Sequence, residues 1–179
     1  MKNFEFEHEG KKLWYSRSLA CGLVILRYDS VYNTIEVLAA RRGQGCEYNK
    51  GKWNIPGGFI DFDEDSKQCA IREAFEETGV SVPVEHVNFQ FLDTTPRGKR
   101  QTMVAMHSAI FPKTATKDWE LSMDHVAEKD EVAEVKWIDL KDLDKYNWSD
   151  KQIANIKQVT HNCSWVLDIV GFENYSAFY

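Results

Sequence analysis

The stretch Gly57-Gly58-Phe59-Ile60-Asp61-Phe62-Asp63-Glu64-Asp65-Ser66-Lys67-Gln68-Cys69-Ala70-Ile71-Arg72-Glu73-Ala74-Phe75-Glu76-Glu77-Thr78-Gly79-Val80 decides the reading of this chain. Asp65 or Ser66 reads as a helix N-cap and Gly79 as a C-terminal stop. About three helical turns lie between them. At 100° per residue from Ala70, the residues Ala70, Ile71, Ala74 and Phe75 fall within about 0–140°. Arg72, Glu73, Glu76 and Glu77 fall within about 200–340°. The apolar face is expected to pack on a sheet. On the charged face Glu73, Glu76 and Glu77 stand at i, i+3 and i+4, so their carboxylates are expected to converge. Like charges at that spacing repel by about 0.2–0.5 kcal/mol per exposed pair. Such a face is either merely solvated or a site for a hard divalent cation, which makes clustered oxygens favourable. The context favours the second reading. Pro56-Gly57-Gly58 follows a strand, and glycines there let the backbone turn sharply and aim a carbonyl or N–H at a ligand. Glu64 adds a fourth carboxylate.

Outward from this segment, the pattern predicts strands at 11–15, Ser18–Arg27, Thr34–Ala40 and Trp53–Ile55. A turn is expected over Tyr28–Asn33 and a loop over Arg41–Lys52. Beyond the helix, Val87–Leu92, Gln101–Phe111 and Val132–Ile138 read as strands. Pro112–Asp130 reads as a surface loop, and Leu140–Leu143 as one turn of helix. Ser149–Val159 has helical spacing and an N-cap serine. The aromatic-rich last twenty residues give no clear pattern. Strands, helix, strands, helix point to the α+β class, a mixed sheet with helices on its faces.

The 179 residues point to one domain over 1–179, with no linker or repeat to divide it. The net charge of −6 argues against broad nucleic-acid binding, which needs a basic footprint. It argues equally against a polybasic membrane-surface protein. The longest apolar run, Leu19–Leu26, is far short of the about 20 residues of a spanning helix. Met1–Glu9 is acidic and has no apolar core, so no secretory signal is expected. Cys21, Cys46, Cys69 and Cys163 lack the spacing of a zinc or redox motif. Reduced, non-functional thiols in a cytoplasmic chain are the expectation.

Gly58, five residues, Glu64, seven residues, Arg72-Glu73-Ala74, one residue, Glu76-Glu77, one residue, Gly79-Val80 resembles the complete Nudix box of the Nudix hydrolase family. Seven specified residues match by chance less than about once in a million chains of this length. The one soft departure is Ala74, where the family often has a larger aliphatic residue. The resemblance implies the Nudix fold, an α/β/α sandwich around a mixed β-sheet. It implies hydrolysis of a nucleoside diphosphate linked to another moiety, with Mg²⁺ or Mn²⁺ as cofactor. Glu76 and Glu77 are then the main metal ligands, Glu73 a third ligand or a water-orienting group, and the Gly57 carbonyl a backbone ligand. Arg72 orients Glu73 and Glu76. Glu64 either reaches a metal through water or caps the loop. The general base is a box glutamate or an acid from a later loop; of Glu128, Asp130, Glu131 and Glu134, Glu131 sits where the family's loop acid would fall.

Thr94-Thr95-Pro96-Arg97-Gly98 resembles the corresponding loop of ADP-ribose-handling relatives, and Pro96 lies at the offset seen in the ADP-ribose pyrophosphatase subgroup. ADP-ribose, cleaved to AMP and ribose 5-phosphate, is therefore the first substrate expected. Arg41, Arg42, Arg97 and Arg100 are candidate phosphate contacts, because guanidinium binds such oxygens in a bidentate way. Arg42, Gly58, Pro96 and Arg97 form the expected substrate-binding set. Trp14, Tyr15 and Phe91 are stacking candidates. Rival substrates are damaged nucleoside triphosphates, NADH and dinucleoside polyphosphates. A rival of another class is a ligand-sensing regulator or binding module. The resemblance makes a homodimer the default; no nucleic-acid or membrane partner is expected.

Overall fold

Residues 19–29 alternate so that both sides of one strand are apolar. Leu23 and Ile25 turn to one face, Val24 and Leu26 to the other, and all four are fully buried. Only a sheet covered on both faces accommodates such a strand. The computed structural model describes residues 4–15, 18–95, 102–126 and 130–169. It places β3 (Leu19–Asp29) beside β4 (Thr34–Arg42), β5 (Trp53–Asn54), β6 (Asn88–Asp93), β7 (Met103–Pro112) and β8 (Val132–Asp139) in one sheet. β3 and β7 run parallel, and the other pairs are antiparallel, so the sheet is mixed. α1 (Ser66–Thr78) covers the face bearing Cys21, Leu23, Ile25 and Leu38. α2 (Gln152–Asn162) and α3 (Ser164–Ile169) cover the face bearing Val24, Leu26, Val37 and Ala39. This is the expected α+β sandwich of helix, sheet and helix.

The sheet has a split that makes the site. Val37 of β4 pairs with β3 on one edge and β8 on the other, while Arg41 pairs with β5 and β8. β3 and β5 therefore share one edge of β4 in succession. Where β3 diverges, residues 56–60 fill the gap. Leu23 N–H donates to Pro56 O at 2.9 Å, and Cys21 N–H donates to Gly58 O at 2.9 Å. A Cβ on Gly57 would stand 2.4 Å from the Cys21 carbonyl, so only glycine permits this approach.

β1 (Phe4–His8) and β2 (Lys11–Tyr15) form a separate hairpin. Glu9 and Gly10, both at positive φ, make its turn. The strand at 11–15 was expected and β1 was not, although Phe4-Glu5-Phe6-Glu7 alternates as strands do.

Two further expectations are corrected. α2 begins at Gln152, not Ser149. Trp148 pairs with Trp53 in a parallel bridge, and Ser149 N–H donates to Trp53 O at 3.0 Å. The chain is thus extended at Ser149, and the helix starts only after Lys151 turns at φ 67. On α1, Phe75 is 38% exposed rather than packed on the sheet. The buried stripe runs through Cys69, Ala70, Ala74 and Thr78, and Phe75 at its rim stacks on His125 at 4.3 Å. Among the described residues no helix is long and apolar enough to cross a membrane.

Candidate functional site

α1 is fixed at both ends by local chemistry. Asp65 accepts from Lys67 and Gln68 N–H, and Gln68 returns a bond to Asp65 N–H, completing a capping box. Gly79 in the left-handed region closes the helix. Its charged face therefore has a set orientation above residues 56–60.

Arg72 organises that face. Nε donates to Glu64 Oε2 at 3.1 Å and Nη2 to Glu64 Oε1 at 2.7 Å, a two-pronged pair. Nη1 reaches Glu73 Oε1 at 2.8 Å and Glu76 Oε2 at 2.9 Å. The remaining Nη2 proton goes to Phe59 O at 3.1 Å. All five guanidinium N–H groups thus have acceptors, which a lysine ammonium cannot reproduce. The bond to Arg72 holds the Glu64 carboxyl at about 2, below its ordinary 4.5. Glu64 also accepts from Asp61 N–H at 2.9 Å. Of its two sequence readings, the geometry gives the loop-capping one.

Glu73 presses its carboxylate against Gly58, where a Cβ would lie 2.3 Å from Oε1. Burial, reinforced by the charges of Glu76 and Glu131, raises Glu73 despite Arg72. Glu77 lies at the edge of the apolar stripe and is half-buried. Its Oε2 accepts from Gly57 N–H at 3.1 Å. Burial, with the Glu73 charge beside it, pushes Glu77 up to about 8; the Gly57 N–H and the Arg42 charge pull the other way.

The expected convergence of the three helix carboxylates holds for two of them: Glu73 and Glu76 meet on Arg72 Nη1, and Glu77 turns to Gly57. Among the described residues no three acidic, histidine or cysteine side chains form a ready cluster around one point. Arg72 Nη1 holds Glu73 and Glu76 together, while Gly57 N–H holds Glu77 apart. The donor set nonetheless fits a hard divalent cation in kind. It offers carboxylate oxygens and a backbone carbonyl. The carbonyls of Pro56 and Gly58 are taken by β3. A carboxyl raised to about 8 by burial and neighbouring charge is one that a bound cation would relieve.

Glu131 is brought to this site from far along the chain, and its charge acts on both Glu73 and Glu77. Its backbone is clamped. Gly43 N–H donates to Glu131 O at 2.7 Å, Cys46 Sγ to the same oxygen at 3.0 Å, and Gly45 N–H to Asp130 O at 3.0 Å. This clamp was not read from the sequence, although Gly43 and Gly45 in the loop after β4 were its visible trace. Arg42 flanks the site and donates from Nε to Tyr48 O at 2.9 Å. Arg41 instead pairs across strands with Glu134 at 3.1 Å, which removes both from the site. Phe91 packs partly buried against the core. Pro96, Arg97, Arg100, Glu128 and the terminal aromatics Phe172, Tyr175, Phe178 and Tyr179 lie outside the described residues, as do the side chains of Trp14 and Tyr15.

A cavity of about 210 Å³ opens on the other side of residues 54–59, reaching Thr102, Met106, Gln152 and Asn155. Asn54 Oδ1 is buried with no partner. Gln152 Oε1 accepts from Ile55 N–H at 3.3 Å, and Asn155 is 8% exposed. Carboxamides from β5 and α2 thus line a chamber next to the acidic face. Gln152 and Asn155, three apart on a helix, were the unread signal for it.

Comparison with known proteins agrees with this architecture. The NUDIX domain family model matches residues 19–157. A MutT-like protein of Streptomyces ambofaciens is 32% identical over 78 residues, 44% of each chain. A MutT/nudix family protein from Enterococcus faecalis superposes with a TM-score of 0.69 at 20% identity, covering 88% of this chain and 68% of that one. The NUDIX domain of Shewanella oneidensis NrtR, complexed with ADP ribose, gives 0.66 at 21% identity, covering 82% and 88%. The chain spans 13% to 44% of the length of the curated relatives it matches.

Proposed function

The chain belongs to the NUDIX domain family, and from that premise we propose that it hydrolyses the pyrophosphate linkage of a nucleoside diphosphate joined to another moiety, acting as one domain over residues 1–179. The observation that carries this reading is the Arg72-ordered carboxylate array facing the Gly57-Gly58 strip. Glu73, Glu76, Glu77 and the Gly57 carbonyl are the residues that would hold Mg²⁺ or Mn²⁺. Such an ion, when bound, neutralises charge on phosphate oxygens and lowers the pKa of its water. Arg72 keeps Glu73 and Glu76 oriented. Glu131 or Glu73, each by a carboxylate oxygen, accepts the proton of the attacking water. Arg42, on the rim, supplies positive charge to the incoming phosphates.

ADP-ribose is the first substrate of choice. The support is the Thr94–Gly98 loop resemblance, together with the carboxamide-lined chamber. That chamber offers neutral donors and acceptors of the kind a nucleobase edge requires. Product analysis tests this. The protein is incubated with Mg²⁺ and ADP-ribose, NADH, a diadenosine polyphosphate or a nucleoside triphosphate. AMP plus ribose 5-phosphate from ADP-ribose, reduced at least about 100-fold by Glu77→Gln, is expected. Turnover of another compound alone discards ADP-ribose and keeps the chemistry. Turnover of none, with ADP-ribose still bound, contradicts the enzyme reading.

A further inference from the structure

Cys21 on β3 and Cys69 near the start of α1 are both buried, with their sulfurs 2.7 Å apart. They lie directly beneath the site. Cys21 N–H donates to Gly58 O, Cys69 Sγ stands 3.4 Å from Phe59 O, and Arg72 Nη2 lies 3.6 Å from Cys69 Sγ. The other two thiols are engaged elsewhere: Cys46 with Glu131 O and Cys163 with Ser108 Oγ. A sulfur–sulfur bond is about 2.05 Å long, so the pair needs well under 1 Å of closure.

We infer that Cys21 and Cys69 are a modification site, closing under peroxide into an internal disulfide that staples α1 to β3 beneath the carboxylate array. One sulfur attacks a peroxide oxygen, giving a sulfenic acid and the first water. The second sulfur then displaces the hydroxyl group, the S–S bond forms, and the second water leaves. The two thiols lose two protons and two electrons, and the peroxide is reduced to two waters. The hydrogen bond between the sulfurs, with burial, holds the Cys69 thiol well above its usual range. Cys69 is therefore a poor thiolate in the folded protein, and the closure needs added oxidant. The bond joins residues 48 apart and so restricts the unfolded chain strongly.

The experiment treats the full chain with hydrogen peroxide, then blocks remaining thiols with N-ethylmaleimide in denaturant and maps the peptides by mass spectrometry. The expected result is one Cys21–Cys69 crosslinked peptide, with Cys46 and Cys163 alkylated. A reductant-reversible rise in Tm of about 5–15 °C should accompany it. Cys21→Ala should abolish both, and Cys163→Ala neither. Alkylation of Cys21 and Cys69 after treatment would overturn the inference. So would their separate oxidation to sulfinic acids, a crosslink through Cys46 or Cys163, or a Tm that does not move. No substrate enters the readout, so the result is independent of the proposed activity.

Discussion

Glu64 and Glu77 sit on one site but are pushed in opposite directions, and the two shifts have opposite consequences for stability. Glu64 is held at about 2, so its ion pair with Arg72 stabilises the fold fully above about pH 4.5. That contribution is lost as pH falls toward 2. Glu77 is raised to about 8, so between about 4.5 and 8 the folded chain holds a proton that the unfolded chain has released. Stability therefore declines as pH rises through that window. In the presence of a chelator, Tm should fall between pH 5 and 8.5, and Glu77→Gln should flatten the fall. A wild-type profile no steeper than that of the variant would contradict this account of Glu77. At this scale the sequence was partly legible. The link from Arg72 to Glu76 follows from i,i+4 spacing, and that to Glu73 from family resemblance. The two-pronged pair of Arg72 with Glu64 depends on how the loop over 59–65 folds back, which local spacing does not encode.

The strip over residues 56–60 is the element on which the site is built, because it separates β3 from the acids of α1. Gly57 and Gly58 are both required there, for different reasons. A Cβ on Gly58 meets the end of the Glu73 side chain, which is able to move aside. Gly58→Ala should therefore leave Tm within a few degrees of wild type while lowering kcat/KM about 100-fold, since displacements near 1 Å have that effect. A Cβ on Gly57 meets the backbone of Cys21, which is not able to move without loosening β3. Gly57→Ala should lower Tm clearly. Thermal melts and initial rates on both variants check this, and equal behaviour of the two would count against it. The strip and α1 were legible because capping, glycine placement and helical period all agree over Gly57–Gly79. The start of α2 was not, because a long-range bridge between Trp53 and Trp148 overrides the local N-cap signal of Ser149. β1 was missed although its alternation was present. Glu131 was singled out from four neighbouring acids by the family resemblance alone, since the clamp that fixes it comes from Gly43, Gly45 and Cys46, some 85 residues earlier for Cys46.

At the scale of the molecule, the split sheet gathers segments distant in sequence into one cleft. β4 and its following loop bring Arg42 and the clamp, residues 56–60 the glycine strip, α1 the carboxylates, and the start of β8 the acid Glu131. The sandwich was legible because strands buried on both faces and one amphipathic helix leave few other arrangements. The substrate was less so, because the residues that carried the ADP-ribose expectation, Pro96 and Arg97, sit outside the described residues. The central claim is that the acidic face of α1, with Gly57, holds a divalent cation. Mn²⁺ binding followed by electron paramagnetic resonance, on wild type and on Glu76→Gln/Glu77→Gln, tests it most directly. Wild type should remove Mn²⁺ from the free signal in stoichiometric amount, and the double variant should bind at least about tenfold more weakly while remaining folded by circular dichroism. Equal Mn²⁺ affinity in a folded double variant would contradict the claim.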